Sequence, residues 1–292
     1  MALYTISNGT LTVTLNSVGA IFHSIMRDGT EYLWQGDEKY WGKRDVNLFP
    51  YIGRLTDGCY IYRGKKYPLT IHGFASKAEF ELEEQSEAGA VFVLRANDET
   101  RAVYPFEFVY RVRYELIGSR IVKHCIVENH DDKTMYFGLG GHAGFNVPVA
   151  GEGDFEDWFL EFDGRAEPER MLIDQATYRF SGSSAPYALK DGNTIPLRHS
   201  LFDDDAVILH GAPRSVTIKS DKSAHSVRVS YPDMTFIAFW HAVRTDAPYI
   251  CVEPWSSLPS HADYVEDIER QEYLIHLESG ETYDDLSTFD IK

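Results

Sequence analysis

The run FEFVYRVRYEL, residues 106–116, is the clearest structural signal in the chain. Large apolar side chains occupy its even positions, and four of its five odd positions are charged. Because successive side chains of a β-strand point to opposite faces, this two-residue period predicts a strand with one buried face. The same period recurs over residues 11–15, 216–218 and 227–229, so we expect a protein built largely from strands.

Turn-forming sequences separate the expected strands at short intervals. Examples begin at Arg27 (RDGT), Arg63 (RGKK) and Lys190 (KDGN). Glycine, asparagine and aspartate tolerate the backbone angles of tight turns. Many short strands with few amphipathic helices predict an all-β sandwich or barrel. We expect one short helix within residues 260–270 and long loops within residues 151–193.

The length of 292 residues suits one large β domain or two ordinary ones. The chain contains no low-complexity linker and no internal repeat. Its most distinctive motifs lie between residues 47 and 259, so a site assembled from them would draw on most of the chain. We therefore predict a single domain over residues 1–292.

Composition narrows the classes of partner. The net charge of -17 argues against nucleic acid, whose phosphates are held by clustered Lys and Arg, and against an anionic membrane surface. No stretch approaches the roughly 18 apolar residues of a membrane span, and the first residues lack the pattern of a secretory signal. Three widely spaced cysteines without a C-x-x-C pair favour free thiols in a reducing cytoplasm over a disulfide framework.

Four ionisable side chains lie among glycines, prolines and aromatic residues. The stretches that hold Arg54, His72, His142 and Glu253 are NLFPYIGRL (47–55), IHGFAS (71–76), GGHAGFNVP (140–148) and CVEPWSSLP (251–259). A carboxylate, two imidazoles and a guanidinium can move protons and hold hydroxyl groups without a metal or cofactor. Trp240 adds a flat apolar face of the kind that stacks on a sugar ring.

Each candidate also has a structural interpretation. Glu253 is either a base whose pKa is raised by burial or a strand-end carboxylate turned to water. His142 follows two glycines that would let a ligand approach closely, or it is a core histidine bonded to a carbonyl. His72 has the same two interpretations, and Arg54 could instead form a structural salt bridge. No third ligand stands at a suitable spacing from the two histidines, so we expect no metal.

The motifs FPYIGRL (49–55), HGF (72–74), GHAGFN (141–146) and EPW (253–255) together resemble the aldose 1-epimerase (galactose mutarotase) family. Within it, the chain is most similar to the divergent LacX-like bacterial branch. The resemblance covers essentially the whole chain, with the motifs in the family's order. It implies a large antiparallel β-sandwich with a sugar in a cleft on one concave face.

The resemblance also implies a cofactor-independent isomerase that interconverts the α and β anomers of a free aldose. By position, Glu253 would remove the proton of the C1 hydroxyl and His142 would protonate the ring oxygen, while Arg54 and His72 would bind the sugar. An aspartate that holds sugar hydroxyls should be Asp204 or, slightly favoured, Asp205. The acid role requires a raised pKa for His142, because an exposed histidine is mostly neutral at pH 7.

The expected partner is a small sugar, and a homodimer is compatible with the sequence. Three other functions stay open. A silent or regulatory sugar-binding protein would need no acid–base pair. A glycoside hydrolase or polysaccharide lyase on a related sandwich would want two flanking carboxylates, and only Glu253 has the context. A sugar-phosphate mutarotase needs a basic cluster, for which the sequence offers only Arg54.

Overall fold

A computed structural model describes residues 1–292 with their side chains. Fourteen strands lie in the first half of the chain. They are β1 (Leu3–Ser7), β2 (Thr12–Asn16), β3 (Ile21–Arg27), β4 (Thr30–Glu31), β5 (Asn47–Leu48), β6 (Cys59–Tyr62), β7 (Lys65–Pro68), β8 (Glu81–Gln85), β9 (Gly89–Arg95), β10 (Phe108–Ile117), β11 (Arg120–Asn129), β12 (Met135–Phe137), β13 (Gly140–Gly141) and β14 (Ala143–Asn146).

Eleven further strands complete the fold. They are β15 (Trp158–Phe162), β16 (Glu169–Asp174), β17 (Arg179–Pro186), β18 (Thr194–Pro196), β19 (Val207–His210), β20 (Ser215–Ser220), β21 (Ser226–Ser230), β22 (Phe236–Trp240), β23 (Tyr249–Trp255), β24 (Ile275–Leu277) and β25 (Thr282–Ile291). The single α-helix is α1 (Asp98–Val103). Short 3-10 helices lie at Thr56–Gly58, Ala75–Lys77, Val149–Gly151, Phe155–Asp157 and His199–Phe202.

Two large sheets organise the molecule. One has nine strands in the order β18-β15-β20-β21-β25-β11-β10-β9-β8. The other has the order β17-β16-β19-β22-β23-β13-β5, and β14 also pairs with β23. Strands that are neighbours in these orders pair antiparallel, as do those of a four-stranded N-terminal sheet, β1-β2-β3-β4. This architecture confirms the predicted all-β, antiparallel β-sandwich with few short helices.

The main core lies between the two large sheets, and side-chain alternation decides what faces it. On β10, Tyr110, Val112 and Tyr114 are buried in this core, while Arg113 and Glu115 are exposed. The predicted two-residue period is therefore confirmed, although the strand begins at Phe108 and not at residue 106. None of the helices has the length and apolarity that a membrane crossing demands.

The second large sheet is apolar on both faces, as expected for central strands covered on both sides. Its inner-face residues Leu209, Phe239 and Val252 belong to the main core. Alternate residues such as Ile208 and Ala238 belong to a separate cluster on the outer face, together with residues of the segment after β23. This outer face carries the candidate site.

Two segments differ from the sequence-based expectation. Residues 260–270 form no α-helix, because their backbone pairs with distant segments: Ala262 N–H donates to Phe180 O, and Ile268 N–H donates to Ile61 O. Residues 151–193 are more regular than expected and include β15, β16 and β17. The sequence of β16, ERMLID, has no two-residue alternation, and β17 contains SGSS, which explains why the pattern did not reveal them.

Candidate active site

The candidate site is a cavity of about 330 Å³ on the outer face of the second large sheet, close to the lower end of the usual range for ligand pockets, roughly 300–1,000 Å³. Ile208 and Glu253 line the cavity, and both pair with Ala238 on the strand between them. The polar residues that line the cavity are Lys43, Arg54, His72, His142, Asp205 and Glu253. The aromatic residues that line it are Trp41, Tyr178, Trp240 and Trp255.

Glu253 lies inside β23, with neighbouring strands on both sides, and not at a strand end. The residue is 1% exposed, and neither carboxyl oxygen has a hydrogen-bond partner. Burial, and after it the negative charge of Asp205, raises the pKa of Glu253 well above its ordinary value, while the Trp255 indole partly opposes the rise. The carboxyl is thus desolvated and makes no hydrogen bond, so the alternative of a water-facing glutamate is wrong.

His142 sits between β13 and β14 and turns its imidazole into the same cavity. Its ring stacks on Trp41, with centroids 4.8 Å apart and planes at 21°. Its Nδ1 is buried without a partner, so no backbone carbonyl satisfies it. Gly140 serves strand packing and not ligand approach, since a Cβ there would lie 2.7 Å from the Pro254 carbonyl oxygen.

The imidazole of His142 and the carboxyl of Glu253 are in direct contact, with Nε2 and Oε1 3.4 Å apart. Burial, followed by the nearby His72, lowers the pKa of His142 well below its ordinary value. This shift is opposite to the raised pKa that the acid role was expected to need. Because burial disfavours charge on both groups, the free pair holds one proton, which resides on the carboxyl.

His72 lies in a tight turn and is held there by its backbone and its ring. Its φ is +62° and that of Gly73 is +73°. Gly53 N–H donates to His72 Nδ1 at 3.2 Å, so the neutral ring carries its proton on Nε2. Burial, then the charges of Lys43 and Arg54, lowers the pKa of His72 to about 3. His72 is therefore a neutral donor at neutral pH.

Of the two candidate aspartates, the structure places Asp205 in the cavity and Asp204 outside it. Asp205 is half-buried and lines the cavity. Its φ of +73° marks a turn of the backbone just before β19. Burial raises the pKa of Asp205, against the opposing effects of the Ala206 N–H, the Trp240 indole and Arg54. Asp204 is exposed, and its backbone carbonyl accepts a hydrogen bond from Gln175.

Arg54 and Lys43 bring positive charge to the cavity. Both side chains are exposed at its mouth, and neither forms a salt bridge, so the structural alternative for Arg54 does not hold. The Arg54 guanidinium lies 5.9 Å from the centre of the Tyr178 ring, which is 39% exposed. These groups are free to meet an anion or a polyol.

One group of residues could coordinate a metal ion. His142, Cys251 and Glu253 place one donor atom each within 4.8 Å of one another. Burial raises the pKa values of the Cys251 thiol and the Glu253 carboxyl well above their ordinary values, so coordination would have to remove both protons. His142 Nδ1 also lacks the partner that normally orients a metal-bound imidazole. The donor set therefore fits a metal poorly.

Comparison with known proteins places this arrangement in a family. The sequence model of the aldose 1-epimerase family matches residues 2–284. The chain belongs to the aldose 1-epimerase family. It is 35% identical over 268 residues to the plasmid-borne Protein LacX of Lactococcus lactis subsp. lactis, with 87% of each chain covered.

Solved structures of similar proteins share the fold of this family member. A galactose mutarotase related enzyme from Lactobacillus acidophilus is 33% identical, with a TM-score of 0.92 over 100% of this chain and 97% of that one. A galactose mutarotase-like protein from Lactobacillus casei is 28% identical, with a TM-score of 0.94 over the whole of both chains.

In this aldose 1-epimerase family member, the fold gathers most of the residues that the sequence singled out. Arg54, His72, His142, Asp205, Trp240 and Glu253 all line one cavity, and Asp204 does not. Sequence reasoning missed Trp41, Lys43 and Tyr178. The stretch YWGKR at residues 40–44 carried the only available signal, an aromatic pair and two cations around a glycine.

Proposed function

We propose that the protein is an aldose 1-epimerase that opens and recloses the ring of a free aldose in the cytoplasm. The observation that carries the proposal is the buried contact between His142 Nε2 and Glu253 Oε1, set in an aromatic cavity. A desolvated acid–base pair without other partners is costly to maintain, and such pairs cluster at functional sites. Three free cysteines are consistent with a reducing compartment.

The single proton of the pair is sufficient for the reaction. When a sugar binds, its C1 hydroxyl would donate to Glu253 and its ring oxygen would accept from His142. Both contacts favour the tautomer in which the proton has moved from the carboxyl to the imidazole. Glu253 then takes the O1 proton as His142 protonates O5 and the C1–O5 bond breaks. The open aldehyde rotates about C1–C2 and recloses on its other face.

The surrounding residues would hold the sugar while this happens. The His72 Nε2–H is a neutral donor for the ring oxygen or a neighbouring hydroxyl, since its Nδ1 already accepts from Gly53. Asp205 and Arg54 would bind other hydroxyl groups of the sugar, and the Trp240 indole would cover an apolar face of the ring. Anomer exchange of freshly dissolved α-glucose and α-galactose, followed by NMR with and without protein, tests the activity.

Glu253→Gln should abolish the acceleration while sugar affinity stays within about tenfold, or about 1.4 kcal/mol. The amide preserves the shape of the carboxyl but cannot accept a proton. Saturation-transfer NMR exchange rates and a binding titration measure the two quantities separately. Glu115→Gln, on the exposed face of β10, is the matched control and should behave as wild type. Near-wild-type exchange in the Glu253 variant would remove that residue from the base role.

His142→Asn should slow anomer exchange by roughly 10²–10⁴-fold, the range for a positioned proton donor. His72→Asn should cost less, because the Glu253 carboxyl contacts His142 and not His72, so only His142 can receive the carboxyl proton and pass it to the sugar. The ratio of the two kcat/KM losses is the measurement. A larger loss at His72 would reverse the two assignments. Sugar binding without any turnover in the wild type would favour a silent binding protein.

A phosphorylated aldose is a second candidate substrate. The sequence offered only Arg54 for an anion, but the structure adds Lys43 at the same cavity mouth, also without a salt bridge. After burial, both charges lower the pKa of His72, which supports their action on a ligand in this cavity. Exchange rates of glucose and glucose 6-phosphate distinguish the candidates. Preference for the phosphate, lost in Lys43→Gln, would make the sugar phosphate the substrate class.

A further inference from the structure

A second and larger groove adjoins the candidate site. It has a volume of about 700 Å³ and shares the ring of Pro259 with the smaller cavity as a common wall. Its floor is the outer face of β16, β17 and β19, and its far wall is the segment of residues 258–273. The proposed reaction uses none of its polar residues.

The floor of the groove continues the floor of the site along two strands. On β19, Ile208 lines the site and His210, two residues further on the same face, lines the groove. On β16, Ile173 lines the site, and Met171 lines the groove. A step of two residues along a strand is about 6.8 Å, close to the length of one pyranose unit. The two spaces are therefore consecutive along one cleft.

The lining of the groove suits a neutral sugar. Tyr264 is 53% exposed and stacks on His261, with centroids 5.0 Å apart and planes at 19°, so a rigid aromatic face is presented to solvent. An exposed aromatic ring that is held in a fixed orientation is well suited to stack on the apolar face of a sugar. The carboxylates of Glu169 and Glu272 are exposed beside it, and can accept from hydroxyls but would repel an anionic group.

We propose that this groove binds a second glycosyl residue, so that the protein takes the reducing end of a neutral oligosaccharide into the Glu253 site. The inference rests on the proposed function, because the reducing end of the oligosaccharide would react in the Glu253 site. The residue attached through the sugar's nonreducing side lies across Pro259 on Tyr264, with its hydroxyls on Glu169, Glu272 and His210. The groove adds binding and selectivity for chain length, and takes no part in proton transfer.

The binding test uses saturation-transfer difference NMR with lactose, maltose and cellobiose on the Glu253→Gln protein, which should not anomerise them. The proposal expects saturation on protons of both rings for at least one disaccharide. Saturation confined to the reducing ring, or no binding of any of the three, would overturn it. This measurement does not depend on turnover. If both rings are saturated and the wild type accelerates no anomer exchange, the subsite stands and the proposed function fails.

Two variants assign the effect to the groove. Tyr264→Ala should lower kcat/KM for the bound disaccharide about three- to tenfold, the worth of one aromatic contact, and leave glucose within twofold. Ser183→Trp, at an exposed position of β17 in the groove, should block the disaccharide and spare glucose. Ile117→Ala, 57% exposed on β10, is the control for surface truncation. Equal losses for glucose and disaccharide in both groove variants would overturn the assignment.

Discussion

At the scale of single residues, the central feature of the candidate site is a carboxyl group that is buried and left without hydrogen bonds. Glu253 is 1% exposed and both its oxygens lack partners. Its pKa is raised well above the ordinary 4.5 by burial and by Asp205. A group kept neutral in the folded state, but free to ionise in the unfolded chain, destabilises the protein as pH rises.

Glu253→Gln should therefore increase stability at neutral pH, by about 1–3 kcal/mol, because each pKa unit of difference between the folded and unfolded states is worth about 1.4 kcal/mol. Below pH 4.5 both the folded and unfolded carboxyls are protonated, so the variant should gain little there. Above pH 4.5 the unfolded carboxyl ionises while the folded one stays protonated, so the gain should grow with pH. Denaturant unfolding of wild type and variant between pH 4 and pH 8 measures it. A pH-independent difference, or one matched by Glu115→Gln, would show that Glu253 is not held neutral.

The ionisable residues of the site could be predicted from the sequence, but their protonation states could not. Glu253 and His142 stood out because each lies among glycine, proline and aromatic residues. The pKa direction of His142 could not be foreseen, because it depends on burial beneath Trp41, a residue 101 positions away in the sequence. Lys43 and Tyr178 were missed for a related reason: each reaches the cavity from a loop, and the pattern YWGKR around Lys43 does not by itself indicate a position in the site.

At the scale of elements, the turn that carries His72 depends on a glycine that admits no side chain. Gly73 has a φ of +73°, and a Cβ there would lie 2.2 Å from the Phe49 carbonyl oxygen. Gly64, in the β6–β7 turn, has nearly the same φ, +74°, with nothing within 4 Å of its Cβ position. Backbone strain would arise on alanine substitution at either glycine, whereas a steric clash would arise only at Gly73. Comparing the two substitutions therefore separates the two effects.

Gly73→Ala should destabilise the protein by at least about 3 kcal/mol and should reduce activity with it, because His72 is the preceding residue. Gly64→Ala should cost only about 1–2 kcal/mol, the penalty of the left-handed backbone, and should leave activity unchanged. Thermal unfolding and anomer-exchange rates measure both effects. Equal destabilisation in the two variants would mean that the Phe49 contact relaxes and does not fix the turn.

Strands with strict alternation were predictable, and strands without it were not. β10 alternates buried and exposed residues from Val112 to Ile117, as its sequence indicates. β23 is buried at all seven positions, since both faces of its sheet are covered, so periodicity alone could not place Glu253 on the outer face. β17 escaped notice because its exposed SGSS segment resembles a loop.

At the scale of the whole molecule, the two large sheets share one core. A single cluster of 62 buried residues draws on both sheets and also on the N-terminal sheet, through Leu15 and Phe22. Removing either large sheet would expose the inner face of the other. We therefore propose that residues 1–292 form one domain, with the outer-face cluster around Trp255 dependent on the main core beneath it.

The chain should unfold in one cooperative transition. Trp158 lies in the nine-stranded sheet, while Trp240 and Trp255 lie in the sheet that carries the site, so tryptophan fluorescence reports on both. Far-UV circular dichroism reports on all strands together. If one core joins the sheets, the two signals should give the same denaturant midpoint and slope. Phe22→Ala, at the N-terminal contact with that core, should lower both midpoints equally, corresponding to about 3–5 kcal/mol. Separate midpoints for the two signals, or a shift in only one of them, would show two independent units.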